Sequence, residues 1–219
     1  MNPRNLTLAT VGVLVLALLG FLSYRQFIAP TGEVNTGAAS GYEDQPTLGR
    51  EDAPVKLILF ENFLCEHCKA FEEEAFPRIR SNYIETGQVE AYYVNLAWGP
   101  ENATTAGLAG ECAYRQDEEA FWGYKSALFE AQTDHEGSWA TTDNLVTIAR
   151  ENVPTLDADA LRTCIEDERY LDEVQRDLAL GETVGVRGTP SLVIGDQGFQ
   201  GPSYEAIANA IDQQLAGRD

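Results

Sequence analysis

An α/β fold is predicted, and three observations predict it. Val55–Phe60 is a short, mostly apolar run, and Val89–Asn95 is a second strand-like segment. Between them Ala70–Arg80 has helix-forming composition, with Phe71, Ala75, Phe76 and Ile79 spaced for one apolar face. Strand–helix–strand implies a parallel pair joined by a right-handed crossover. A long helical block then separates this unit from a closing strand–strand–helix between 191 and 215. The chain has 219 residues, 44% of them hydrophobic and 10% aromatic, which suits one globular domain with a sizeable core. No internal repeat is visible.

The chain opens with Leu6–Leu22, a charge-free run of 17 residues with Arg4 before it and Arg25 after it. At ~1.5 Å per residue it spans about 26 Å, slightly short of a ~30 Å hydrocarbon core, with Tyr24, Phe27 and Ile28 as interfacial footing. A cleaved signal peptide needs a small-x-small site just beyond the run, and Tyr24, Arg25 and Gln26 offer none. Residues 1–28 are therefore expected to be a cytoplasmic N-terminus and transmembrane anchor. The charge bias leans towards a domain outside the cytoplasm, giving a single-pass protein of the cell membrane. Residues 29–46 turn to Gly, Ser, Thr, Asn and acids and read as a flexible linker spanning about 23 Å. The domain is expected over 47–219.

Cys65-Glu66-His67-Cys68 falls where the first strand hands over to the helix. Unpaired N–H groups and the positive dipole end collect there, and both favour a thiolate. Two cysteines three apart in the first turn lie on one helix face within closing distance. Disulfide exchange needs an attacking thiolate and a second thiol that displaces the mixed disulfide. Cys65 is expected to be the nucleophile and Cys68 the resolving thiol. The competing reading of a CxxC is half a zinc site.

Past the second strand, Asn102–Gln116 is helical and rich in small residues (Ala103, Ala106, Gly107, Ala109, Gly110, Ala113) that allow close approach of another element. Phe121–Glu130 continues with an aromatic face of Phe121, Trp122, Tyr124, Leu128 and Phe129, read as core. Asp143–Arg150, Asp157–Glu166 and Tyr170–Leu180 follow as helices. Strand Ser191–Ile194, the turn 195–198, a short strand at Phe199-Gln200 and a helix from Ser203 to Leu215 close the chain, with Ser203 as its cap.

Gly185-Val186-Arg187-Gly188-Thr189-Pro190-Ser191 resembles the Gly-x-x-Gly-Thr-Pro-Ser/Thr loop of the thioredoxin superfamily. Together with the upstream CxxC it is similar to the DsbA-like branch, over about residues 47–216. The resemblance implies a thioredoxin fold with an inserted helical subdomain at about 100–182, preceded by the N-terminal transmembrane helix. It implies a cis Pro190 opposite the cysteines, with Thr189 and Pro190 binding the substrate backbone. Cys65–Cys68 would be the redox-active disulfide, used without cofactor or metal. His67 would stabilise the thiolate, and Glu66, where the family's prototype has a proline, would tune the potential. The buried acid six residues before the nucleophile is replaced by Leu59. Glu61 is either a substitute for proton handling or a solvated loop residue.

The remaining cysteines, Cys112 and Cys164, are 52 positions apart in the helical block. An even count in an extracytoplasmic domain, and relatives with such a bridge, suggest a structural disulfide. In the chain-entropy model it contributes roughly 4 kcal/mol. Two buried free thiols are the other reading.

The formal net charge is −20, from 35 acidic and 15 basic residues. Nucleic acid is excluded as a natural partner, because phosphate contacts need a basic surface. The acidity reads as adaptation to high salt or as plain solubility. The function expected is a monomeric, membrane-anchored thiol–disulfide oxidase acting on thiols of secreted or surface proteins. By resemblance it would be reoxidised by a membrane partner of the DsbB or VKOR type. A reductase or isomerase, or a non-catalytic CxxC module, are the competing functions.

Overall fold

A computed structural model describes residues 41–134 and 136–217. The sheet is built on β2 (Val55–Glu61) and β3 (Val89–Asn95), which pair in parallel with Leu57 opposite Ala91 and Glu61 opposite Asn95. β1 (Thr47–Leu48) runs antiparallel to β3 at one edge. On the other side β4 (Ser191–Ile194) runs antiparallel to β2, and β5 (Gln197–Gln200) closes the sheet. The strand order is β1-β3-β2-β4-β5. Leu57 and Leu59 of β2 enter one hydrophobic cluster, whereas Ile58 and Phe60 enter a second. Both faces are therefore covered, which is why β2 reads as a continuous apolar run without alternation.

The crossover between β2 and β3 is broken. α1 (Glu66–Glu74) and α2 (Phe76–Ile79) are followed by a π-helical turn over Arg80–Ile84, where a single helix over 70–80 is the sequence expectation. Pro77 has no N–H to continue the ladder, so the chain cannot run through as one helix. The helix begins at Glu66, directly after Cys65, as the expected position of the cysteine pair at its N-terminus requires.

The insertion comprises α3 (Glu101–Tyr114), α4 (Glu118–Ala131), α5 (Thr142–Asn152), α6 (Ala158–Glu166) and α7 (Leu171–Val184). Asp117, Thr141 and Asp157 cap α4, α5 and α6 through their side chains. The small residues of α3 serve close approach. A Cβ on Gly107 would stand 2.5 Å from Asn95 Nδ2, and one on Gly110 would stand 3.0 Å from Phe63 Cε2. A disulfide joins Cys112 of α3 to Cys164 of α6, with an S–S distance of 2.04 Å. α8 (Tyr204–Ala216), capped by Ser203, ends the domain.

The anchor expected over 1–28 and most of the linker lie outside the described residues. Among the described residues no helix is long and apolar enough to cross a membrane. The end of the expected linker is corrected: residues 42–46 are packed. Tyr42 meets the Tyr92 ring edge-on at 4.8 Å, Gln45 donates to Asp177 Oδ1 at 2.6 Å, and Pro46 O accepts from Tyr93 N. Polar composition concealed this anchoring, because its partners are supplied by β3 and α7.

Candidate active site

Cys65 is the N-cap of α1, with extended φ, ψ of −87°, 118° and no side-chain cap bond. The preceding loop is held by Asn62, whose Oδ1 accepts from Leu64 N at 2.9 Å and whose Nδ2 donates to Trp98 O at 2.8 Å. Gln132 Nε2 donates to Phe63 O, and Lys69 Nζ donates to the carbonyls of Glu130 and Gln132, tying the loop and α1 to the insertion. Both active-site cysteines are free thiols. Cys65 is partly exposed and Cys68, one turn on, is fully buried.

This difference in burial sets their acidities apart. The Cys65 thiol is lowered to about 5. The chief cause is the hydrogen bond from the Cys68 thiol, helped by the Thr189 side chain and the N–H groups of Cys68 and His67, against partial burial. Cys68 is pushed far above the ordinary thiol range, first by burial and then by its bond to Cys65 and the charge of Glu61. One cysteine is thus a ready thiolate, and the other strongly prefers its proton.

Opposite them the Thr189–Pro190 peptide is cis. Cys65 Sγ lies 3.3 Å from Thr189 O, so the loop backbone touches the reactive sulfur. Ser191 Oγ donates to Gly188 O at 2.6 Å and Gly201 N to Pro190 O at 2.8 Å, fixing both ends of the cis bond. The family model described as thioredoxin matches residues 42–213. The chain belongs to the thioredoxin family.

Within that family it is a DsbA-like thiol:disulfide oxidoreductase. It is 29% identical over 190 residues to disulfide bond formation protein D of Bacillus subtilis, covering 85% of each chain. Oxidised BdbD of Bacillus subtilis superposes with a TM-score of 0.75 at 28% identity, over 86% of this chain and 98% of that one. DsbA of Chlamydia trachomatis superposes with a TM-score of 0.73 at 25% identity, over 80% of this chain and 93% of that one.

Beneath the cysteines this thioredoxin-family chain buries an ionic group. Glu61 ends β2 with no exposure, and its Oε2 is 3.0 Å from Nζ of the fully buried Lys125 on α4. Lys125 also bonds Glu72 of α1. The ammonium lies over the rings of Phe76 and Tyr93, at 4.6 and 4.9 Å. Burial opposes its charge, yet Glu61 and Glu72 hold its pKa above the usual lysine value. Burial raises Glu61 to about 8 against the pull of Lys125, because one cation cannot balance two carboxylates in a dry interior. Glu61 Oε1 and Tyr93 Oη are buried without hydrogen-bond partners.

Glu61 is therefore not a solvated loop residue. The structure brings Cys65, Cys68, Thr189 and Pro190 together. It leaves Glu66 and His67 exposed on the first turn of α1, where His67 gives Cys65 its backbone N–H. Asn62, Glu72 and Lys125 were not among the expected site residues. Lys125 carried a signal nonetheless, as one of three lysines and the one that interrupts the aromatic face of 121–129. Asn62 and Glu72 carried none. Among the described residues, no group of three or more His, Cys, Asp and Glu is arranged to hold a metal ion.

Proposed function

We propose that the chain is an oxidase that introduces disulfides into secreted or surface proteins, tethered to the membrane by residues 1–28. The observation that carries the direction is the contrast between a Cys65 thiol near 5 and a buried, reluctant Cys68. A stabilised thiolate favours the reduced dithiol, and so makes the disulfide a stronger oxidant.

In the cycle a substrate thiolate attacks Cys65 Sγ of the Cys65–Cys68 disulfide. The S–S bond breaks, a mixed disulfide forms through Cys65, and Cys68 leaves as a thiolate. Its high proton affinity draws a proton at once, and Glu61, protonated over much of the neutral range, releases one. A second substrate thiolate then attacks the substrate sulfur of the mixed disulfide. The substrate leaves oxidised by two electrons, and Cys65 leaves as the stabilised thiolate. The Thr189-Pro190 backbone aligns the substrate segment, and a membrane partner of the DsbB or VKOR type takes the two electrons in reoxidation.

The test is transfer to a reduced, unfolded protein under anaerobic conditions. One disulfide should form per oxidised chain, Cys68→Ala should accumulate mixed disulfides through Cys65, and Cys65→Ala should form none. Preferential opening of mispaired disulfides would instead assign an isomerase, and stoichiometric zinc in the purified chain a metal module. Retention in membranes after a carbonate wash tests the tether; a mature N-terminus between Ser23 and Ser40 would contradict it.

A further inference from the structure

Among the described residues, the basic side chains of this acidic chain are almost all committed. Every other described Lys and Arg has a carboxylate oxygen no farther than 3.9 Å away. Among the described residues Arg187 alone has neither a carboxylate, a hydrogen-bond partner nor an aromatic ring in contact, and it is exposed.

Its position gives the unpaired charge a use. Arg187 stands two residues before Thr189, the residue whose carbonyl touches Cys65 Sγ. Two residues of chain reach at most about 7 Å. The loop around it is fixed: Val186 is buried with its N–H on Gly181 O at 2.9 Å, and Ser191 holds Gly188. The guanidinium is thus presented from a rigid backbone, within a few residues' reach of any segment whose cysteine reacts at Cys65.

A groove lined by Pro190 of the same loop has the other sign. The groove running from His67 past Pro190 is bordered by Glu74 and Glu205, and its one arginine, Arg78, is already spent on Glu205 and on the Tyr204 ring at 3.6 Å. An acidic substrate residue is repelled there and attracted at Arg187, where a guanidinium accepts a carboxylate in a two-pronged bond.

We propose that Arg187 is a specificity-determining residue, selecting substrate cysteines that carry an aspartate or glutamate a few residues away on the flank facing the 185–190 loop. This rests on the exchange reaction at Cys65 proposed above.

The test uses the oxidised full-length chain and a set of dithiol peptides alike except for Glu, Gln or Lys two or three residues from the first cysteine, on either side. The readout is the ratio of second-order rates, Glu over Lys, for each chain. Arg187→Gln should lower that ratio about threefold at low salt, the scale of an exposed ion pair, and Arg187→Glu should lower it further. Arg187→Lys should retain part of it, and molar KCl should erase the difference between variants. Arg169→Gln, which removes the same charge far from the loop, should leave the ratio at its wild-type value. Oxidation of every peptide with a ratio that Arg187→Glu does not move would overturn the role of Arg187 alone. Failure to oxidise any peptide would overturn the reading of Cys65–Cys68 beneath it.

Discussion

Lys125 Nζ lies 3.0 Å from Glu61 Oε2, although neither side chain is exposed to solvent at all. The pair links the end of β2 to a helix of the insertion, and Glu72 adds α1. The subdomain that distinguishes this chain from a minimal thioredoxin fold therefore supplies the cation under its active site. Removing the cation leaves Glu61 and Glu72 in a dry interior with no positive charge beside them. Lys125→Met is expected to cost about 3–5 kcal/mol, and adding Glu61→Gln and Glu72→Gln should recover part of that loss. Urea unfolding of the three proteins measures it. Unchanged stability in Lys125→Met would mean the group is solvated in solution.

A second buried acidic pair predicts pH dependence. Burial, and then the charge of Glu111, push Asp177 up to about 8; burial pushes Glu111 up to about 7. In the unfolded chain both titrate near 4. Between pH 4 and 8 the folded state therefore holds more protons, so this stability is complete below about pH 4 and is lost as pH rises through 7–8. Asp52, Asp134 and Glu205 shift downwards and act oppositely, but they are fully exposed and screened. The urea midpoint of the oxidised protein, in which Cys65 and Cys68 do not titrate, should fall from pH 5 to pH 8. Asp177→Asn should be less stable at pH 5, because its amide faces the donors Gln45 and Asn95, but flatter in its response. A midpoint that rises with pH would contradict the assignment.

The Cys112–Cys164 bridge joins α3 to α6, away from the reactive pair. Replacing both cysteines by Ala should cost roughly 4 kcal/mol in the chain-entropy model, and so lower Tm by about 10 °C. Disulfide transfer should persist. Ready alkylation of both thiols in the untreated native protein would mean the bridge is absent in solution.

These cases show what the sequence made legible. β3 and β4 match their expected bounds to the residue, and β2 runs one residue past its expected end, because long apolar runs flanked by turns constrain a strand well. Helix ends were blurred by one to four residues where capping, not periodicity, decides them, as at Glu118 and Val184. The two-residue β1 and the packed segment 42–46 were invisible, since their partners are distant in sequence. Cys65, Cys68 and Pro190 stood out through motif spacing. The Glu61–Lys125–Glu72 group did not, because an acid four residues before the nucleophile, a lysine in an aromatic helix and a glutamate on α1 acquire meaning only when three elements converge.

Composition carries one further expectation. With a net charge of −20, self-repulsion should be relieved by screening, and Tm should rise from low to molar KCl. A flat response would leave the acidity as a matter of solubility alone.

The central claim is that the Cys65–Cys68 couple is built to oxidise, and its reduction potential tests that most directly. Thioredoxin, with a nucleophile pKa of about 7, sits at about −270 mV, and DsbA, at about 3.5, near −120 mV. Each pKa unit is worth up to about 30 mV in a two-electron couple. A Cys65 thiol at about 5 therefore places this couple near −200 mV, as measured by equilibration with glutathione. Glu66→Pro should shift it upwards. A value at or below about −270 mV would make the chain a reductase and contradict the account.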